Sequence, residues 1–476
     1  MVTDPAGAFA ALTPVITIGM ALFALVNPRR GLFALVPLVV WADEYKRLAI
    51  YFGGPNMYTV MQTLAMPLVV LAALNAGYFL NILFGRVKMD GVSLLFFVIA
   101  VLAGGGVYFT MTGSFIERVQ RAANLAGYIT LVPIAYTYFR SLEEWRHFFA
   151  IQVVFALPAA AWAIKQYYYG FDQIEWTYAR SGLSRVHFSQ MFGFDNPRVF
   201  GFFGSASALG CASIYGAFAW WHAFRFRSKR WFWVFAALLL TWTLVVSTQR
   251  TALVYPLIVA VAAFFFRTKL RTLFFYGSAA LVFVLGVLKS DYLINRGLED
   301  INRAIQVKSS WGQEVLNVNT FSDRIRGWQR LNRAKTYSLF GTGEGKVSAS
   351  AGIDVNSETY NHDIINKILI KVGVVGLLVI LLPAVFIMVL LHRAAYRSPA
   401  RQSRADAAFI LALALPMIGL SFIGGDNFNA NPINMQIWTA FVGALICRAE
   451  SWRELRRKKS QVLESPVLSS AVVPTA

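Results

Sequence analysis

The chain is short of charge, cysteine and histidine. Charged residues fill 14% of its 476 positions, against about 25% in soluble domains. With 57% of residues hydrophobic, a soluble fold of this length would have to hide too much apolar surface. These shortages exclude a soluble enzyme, a disordered tail protein and a disulfide scaffold. The two cysteines, Cys211 and Cys447, both sit in apolar runs and read as small buried hydrophobes. No DxD, HExxH, paired CxxC or GxSxG occurs, so nothing points to a carboxylate-held Mg²⁺ or Mn²⁺ or to a cofactor. The GTGEG stretch at 341–345 lacks the Lys-Ser/Thr partner of a phosphate loop. The N-terminus has no basic stretch before its first apolar run, so that run reads as a retained span rather than a cleaved signal.

Long apolar runs are what the chain has in abundance, and the mean hydropathy is +0.53. GVSLLFFVIAVLAGGGVYFTM (91–111) and GVVGLLVILLPAVFIMVLL (373–391) reach the roughly 20 residues that cross a bilayer. Similar runs fill 8–26, 31–42, 57–84, 122–139, 148–168, 199–223, 231–247, 251–266, 273–289, 363–391, 405–422 and 432–447. The expected fold is all-α: a polytopic membrane helical bundle of about 12 or 13 spans. The run 31–42 is short, and is either extended past Trp41 or re-entrant. Pro67, Pro133, Pro158, Pro256 and Pro383 fall inside runs, which membrane helices tolerate because neighbours re-satisfy the freed backbone groups.

The net charge of +20 admits a nucleic-acid binder or a membrane protein, and the runs decide for the membrane. Arginine and lysine cluster at 225–230, 267–271, 393–404 and 448–459, which the positive-inside rule places in the cytoplasm. The other side then holds 169–198, the short junction 247–250, the long segment 290–361, and 423–431. The chain divides into N-terminal spans and loop (1–198), central spans (199–289), a large external loop (290–361), C-terminal spans (362–447) and a basic tail (448–476) with a disordered end. The segment 290–361 carries nine basic and eight acidic residues. It is too small for an ordinary independent domain and reads as short helices and loop over the membrane mouth, with 322–340 an interfacial amphipathic helix.

His362 is the strongest candidate for chemistry. It closes that segment and opens a span, and a histidine can act as a general base near neutrality. A place beside a helix cap, with Asn361 or Asp363 as the cap, fits it as well. Asp363, Lys367 and Lys371 follow at four-residue steps and form one polar stripe, with His362 and Asn366 on the adjacent one. Ionisable residues that deep in a span normally face a cavity; a buried ion pair with Asp363 is the other reading. Arg250 sits in VVSTQRTALVYP between two spans with scarcely a loop, where its fork suits a phosphate or snorkels to head groups. Arg324 and Arg326 in SDRIRGW, and Arg198 in DNPRVFGFFGS, add to an external cluster of cations that suits a diphosphate.

Three stretches resemble the O-antigen ligase and O-antigen polymerase superfamily of bacterial inner-membrane glycosyltransferases. These are His362-Asp363, nine residues, then Gly373-Val-Val-Gly376; Ser247-Thr-Gln-Arg250; and Arg324-Ile-Arg-Gly-Trp328 followed by Phe340-Gly-Thr-Gly-Glu-Gly345. Arg198-Val-Phe-Gly resembles an arginine-glycine stretch of many members. Asp363 stands where the family has an amide or hydroxyl, and Ser338-Leu where it has a proline. The resemblance covers about 195–380.

It implies a helical bundle with a lateral, lipid-accessible cavity under the external loop. It implies transfer of a saccharide from undecaprenyl diphosphate to an acceptor hydroxyl at the periplasmic face, without a metal, the acceptor being lipid A–core or a lipid-linked saccharide. The expected site is His362, Arg250 and Arg324, with Arg198, Arg326, Lys367, Lys371 and Asn366 binding substrate. The partners are the lipid-linked donor, the acceptor and membrane lipids, with no nucleic acid. The alternative is a polyisoprenoid-saccharide flippase or other transporter, for which repeated halves and helices broken near the midplane would speak.

Overall fold

The computed structural model describes residues 5–54, 57–110, 115–181, 199–203, 210–247, 250–288, 401–418 and 432–464, with single positions at 339 and between 373 and 396. Among the described residues every regular element is a helix. In chain order the first six are α1 (Pro5–Val26), α2 (Pro28–Val40), α3 (Ala42–Gly53), α4 (Met57–Leu83), α5 (Gly91–Thr110) and α6 (Phe115–Tyr138). Then come α7 (Leu142–Tyr169), α8 (Gln173–Arg180), α9 (Cys211–Arg225), α10 (Arg230–Val246), α11 (Arg250–Phe265) and α12 (Lys269–Leu288). The last are α13 (Arg401–Ala412) and α14 (Ile433–Glu464).

Among the described residues three helices are long and apolar enough to cross a membrane: Gln62–Leu83, Gly91–Phe109 and Leu142–Tyr169. Shorter apolar helices run over Ala11–Val26, Arg230–Val246 and Val254–Phe265. Their outward faces are apolar: Val15 on α1, Val101 on α5, Leu257 on α11 and Leu273 on α12 are each exposed by more than half. A soluble monomer rarely exposes so much contiguous apolar surface.

Local chemistry sets the helix ends. Asn27 caps α2 by accepting from Arg30 N, and Pro28 at the first position is pre-set for the helix. Ser141 caps α7 by accepting from Glu144 N, with Glu143 and Glu144 in the first turn, where carboxylates meet the positive end of the helix dipole. Small residues set the spacing between helices, as expected where packing rather than water drives association. A Cβ on Gly31 would lie 2.7 Å from Ala24, one on Gly77 2.4 Å from the Leu25 carbonyl, and one on Gly104 2.9 Å from the Ala126 methyl.

α14 is the axis. Every residue from 432 to 447 is buried, and α6, α7, α9 and α13 pack around it. Trp145 on α7 donates its indole N–H to Thr439 O at 2.6 Å, and its ring lies where a side chain on Gly443 would stand.

Basic residues gather at one end. Arg29 pairs with Glu144 at 2.8 Å, Arg453 donates to Arg140 O at 3.1 Å, and Arg225 pairs with Asp406 at 3.1 Å. Leu142 N donates to Glu450 at 2.9 Å, which brings the start of α7 and the middle of α14 to the same level.

The short run 31–42 continues past Trp41 as α3, through Ala-Asp-Glu-Tyr-Lys-Arg, the first of the two readings open for it. The helices depart from the sequence reading in three places. Within the run 199–223 the described residues are a turn at 199–203 and a helix from Cys211. α14 carries on to Glu464, well into the segment assigned to the tail, with Glu450 and Arg453 finding partners at the basic end. Finally, the loop after α7 holds α8, which the sequence reading did not foresee.

Candidate functional site

The end of the bundle away from the basic loops is where the expected site should lie. Of its residues, Arg250 alone falls on described backbone, as the first residue of α11; its side chain lies outside the described residues. His362, Arg324, Arg198, Arg326, Lys367, Lys371 and Asn366 lie wholly outside them. The junction that carries Arg250 has the expected form. Ser247 is the C-cap of α10, with its hydroxyl on Leu244 O at 2.9 Å, and α11 starts three residues later. Thr243, one turn below, donates to Ala160 O on α7 at 3.2 Å, so the junction sits beside the far half of α7.

That half of α7 carries a buried network of charge which the sequence reading missed. Its centre is Glu175 on α8, 1% exposed. The Glu175 carboxylate accepts from Trp162 Nε1 and Gln166 Nε2, each at 2.6 Å, and from Asp172 N at 2.6 Å. Asp172 returns the favour by accepting from Glu175 N, which makes a reciprocal capping box and explains why a helix starts there. Lys165 lies 3.4 Å from Asp172 and 3.5 Å from Glu175.

Arg47 reaches the same carboxylate from α3. It is 3% exposed, lies 3.8 Å from Glu175 Oε1, pairs with Glu44, and faces the rings of Phe200 and Phe202. A buried guanidinium is stable only when paired and hydrogen-bonded. Arg47 meets both needs from three elements at once, which is why α3 continues through a charged sequence instead of ending at Trp41.

The network grips one turn. Gln166 Oε1 accepts from Phe200 N at 3.0 Å and Gly201 N at 2.8 Å, while Arg47 Nη1 donates to Gly201 O at 3.1 Å. Gly201 has φ +58, and a Cβ there would meet Ala159 O at 2.6 Å. Only glycine fits such a place without strain. This is the Val-Phe-Gly that follows Arg198.

The carboxylates in the network outnumber the cations. Lys46, Arg47 and Lys165 stand against Asp43, Glu44, Asp172 and Glu175. It can hold a loop in position, but has no surplus positive charge for a diphosphate. Among the described residues no three His, Cys, Asp or Glu side chains converge as metal ligands.

A second polar group lies deeper, beside the middle of α7. Tyr215 reaches Gln152 Oε1 at 3.5 Å, and Gln436 donates to Cys211 O at 3.0 Å. Among the described residues, both amide atoms of Asn434 and Trp438 Nε1 are buried without a hydrogen-bond partner. Each costs on the order of 1–3 kcal/mol in that state. Asn434 and Trp438 stand four residues apart, on one face of the central helix.

The sequence held weak signals for the first network. Lys165 and Gln166 interrupt the apolar run 148–168, and four ionisable residues follow the run 31–42 directly. Comparison with protein-family models, curated proteins and solved structures finds no match for this chain.

Proposed function

We propose that the chain is a polytopic membrane glycosyltransferase with its basic end in the cytoplasm. It moves a saccharide from a polyprenyl diphosphate carrier to an acceptor hydroxyl at the opposite face. In the reading that the sequence motifs favour, this is the periplasmic face of a bacterial inner membrane and the carrier is undecaprenyl diphosphate. The observation that carries the reading is the clamp on Val199–Phe203. Three buried hydrogen bonds, a buried ionic network and an obligatory glycine hold the turn that directly follows Arg198. Such an arrangement fits a scaffold that presents an arginine at a fixed place.

In this mechanism Arg250 and Arg324 hold the diphosphate, helped by Arg198, Arg326, Lys367 and Lys371, and Asn366 contacts the sugar. The acceptor oxygen attacks the anomeric carbon as His362 takes its proton. The bond from that carbon to the phosphate oxygen breaks, and its electron pair leaves with the polyprenyl diphosphate. The cations offset the charge that grows on the leaving oxygen. Attack opposite the leaving group inverts the anomeric centre.

The test is transfer in proteoliposomes loaded with lipid-linked saccharide, with excess chelator present. Wild-type activity should persist, and His362→Ala and Arg250→Ala should each lose it at normal protein levels. Abolition by chelator with recovery in Mg²⁺ would sink the metal-independent step, and full activity in either variant would remove that residue from the site.

One observation favours a transporter of the same lipid-linked saccharide. The α2–α3 helix is interrupted at Trp41, whose indole donates to Phe155 O at 2.8 Å, halfway along α7. Surface-polymer profiles of a deletion strain separate the readings. Single repeats, or full polymer stranded on the carrier outside, mark a transferase; carrier-linked units trapped inside mark a transporter.

A further inference from the structure

We infer that a pocket at the basic end binds the phosphate of an anionic lipid head group. The pocket encloses about 220 Å³ between the start of α5, the end of α6 and α14. Lys88, Arg140 and Arg453 bring three cations to its wall, and Asp90 is the carboxylate among its lining residues. Asp90 is already engaged, since its Oδ1 accepts from Ser93 N at 2.8 Å as the cap of α5. Arg448 is near enough to act electrostatically on Tyr136, which also lines the pocket. The floor is apolar and buried, with Phe139 3% and Ile446 2% exposed.

The wall is held in place by backbone groups. Arg453 Nη1 donates to Arg140 O at 3.1 Å, and Leu142 N donates to Glu450 at 2.9 Å. These bonds tie α14 to the α6–α7 turn and fix the backbones that carry Arg140 and Arg453. An anion in the pocket is attracted by every cation that lines it.

Two features select a lipid over a free anion. The pocket lies at the helix ends, where α5 starts at Gly91 and α6 stops at Tyr138. This is head-group depth for a bundle that spans a bilayer, a premise shared with the proposed function. Leu94, Val98 and Val101 continue from Asp90 at helical spacing and are 55%, 47% and 72% exposed, a stripe along which acyl chains can lie. Basic pockets between helices at the cytoplasmic face suit anionic head groups.

The experiment uses the full chain purified in detergent, titrated with dioctanoyl phosphatidylglycerol and followed by thermal unfolding. The same titration is run with dioctanoyl phosphatidylcholine and with inorganic phosphate. Phosphatidylglycerol should raise the unfolding temperature, and the other two should not at matched concentration. Lys88→Gln with Arg140→Gln should weaken binding roughly 30-fold, from about fivefold per basic residue. Lys88→Arg with Arg140→Lys should keep it, and so should Arg227→Gln with Lys229→Gln in the α9–α10 turn, which do not line the pocket. Equal stabilisation by phosphatidylcholine or by inorganic phosphate would overturn the assignment. Equal weakening by the α9–α10 pair would show diffuse surface charge instead. Native mass spectrometry of the unmutated protein gives a readout independent of the variants: preferential retention of phosphatidylglycerol supports the site, and release of all lipids alike refutes it. Each arm is scored without saccharide transfer, so its failure leaves the transferase reading standing.

Discussion

Removing the Glu175 carboxylate should cost far more than removing Arg47, although the two face each other. In Glu175→Ala, Trp162 Nε1, Gln166 Nε2 and Asp172 N all lose their acceptor. At about 1–2 kcal/mol for each stranded donor, the loss is about 4 kcal/mol. Arg47 is cushioned, because Glu44 and the Gly201 carbonyl remain with it. In Arg47→Met the carboxylate keeps all three donors and Lys165, so the cost falls to about 2 kcal/mol. The double variant should cost less than the sum by about 1 kcal/mol, since both single changes break the same ion pair. The assay is unfolding in mixed detergent micelles with SDS as denaturant, followed by helical circular dichroism. Glu143→Ala is the control, because Glu143 is 83% exposed and only 3.7 Å from Arg146, a pair worth at most about 1 kcal/mol. If Glu175→Ala costs no more than this control, the network is not a buried, satisfied structure and the reasoning fails.

Three further outcomes are expected. Gly201→Ala combines a left-handed backbone with a contact of 2.6 Å to Ala159 O; it should lose about 2–3 kcal/mol and, if the clamp positions Arg198, lower transfer beyond the fall in protein level. Gly443→Ala puts a methyl 2.5 Å from the Trp145 ring; a cost of about 2 kcal/mol with a shifted tryptophan emission is expected, and unchanged emission and stability would mean that α7 and α14 are further apart. Gln173→Cys on α8 should react with an impermeant thiol reagent in intact cells, whereas Ser228→Cys in the α9–α10 turn should react only after permeabilisation. The reverse pattern would invert the sidedness.

Much of the helical frame was readable because it rests on local signals. The run 231–247 became Arg230–Val246 and the run 251–266 became Arg250–Phe265, since lysine, arginine and serine mark those ends. The convergence of basic residues at one end was equally readable. The extension into α3 stood only beside a re-entrant reading, because its sequence is polar where a span should be apolar. What sustains it is Glu175, 128 positions away from Arg47 in sequence, and no local window contains that pairing. Gln166 and Gly201 are likewise joined across 35 residues. Charge inside an apolar run was the one available hint, and at Lys367 and Lys371 the same hint was taken as a sign of function.

Arg47 and Glu175 set a limit on what such a hint means. Both are ionisable and both are buried, and each spends its charge on the other and on a turn of backbone, which leaves little for an anion. Depth alone therefore separates buried charge from surface charge, but not a substrate group from a scaffold group. Stoichiometry makes that second distinction. A network with at least as many carboxylates as cations holds structure; a group of cations whose nearby carboxylates are already engaged still has charge to give to a phosphate. At the basic end Asp90, Glu144 and Glu450 each accept a backbone N–H, which leaves Lys88, Arg140 and Arg453 for the proposed head group. The proposed diphosphate site makes the same demand: its cations, Arg198, Arg250, Arg324, Lys367 and Lys371, must outnumber the carboxylates that face them.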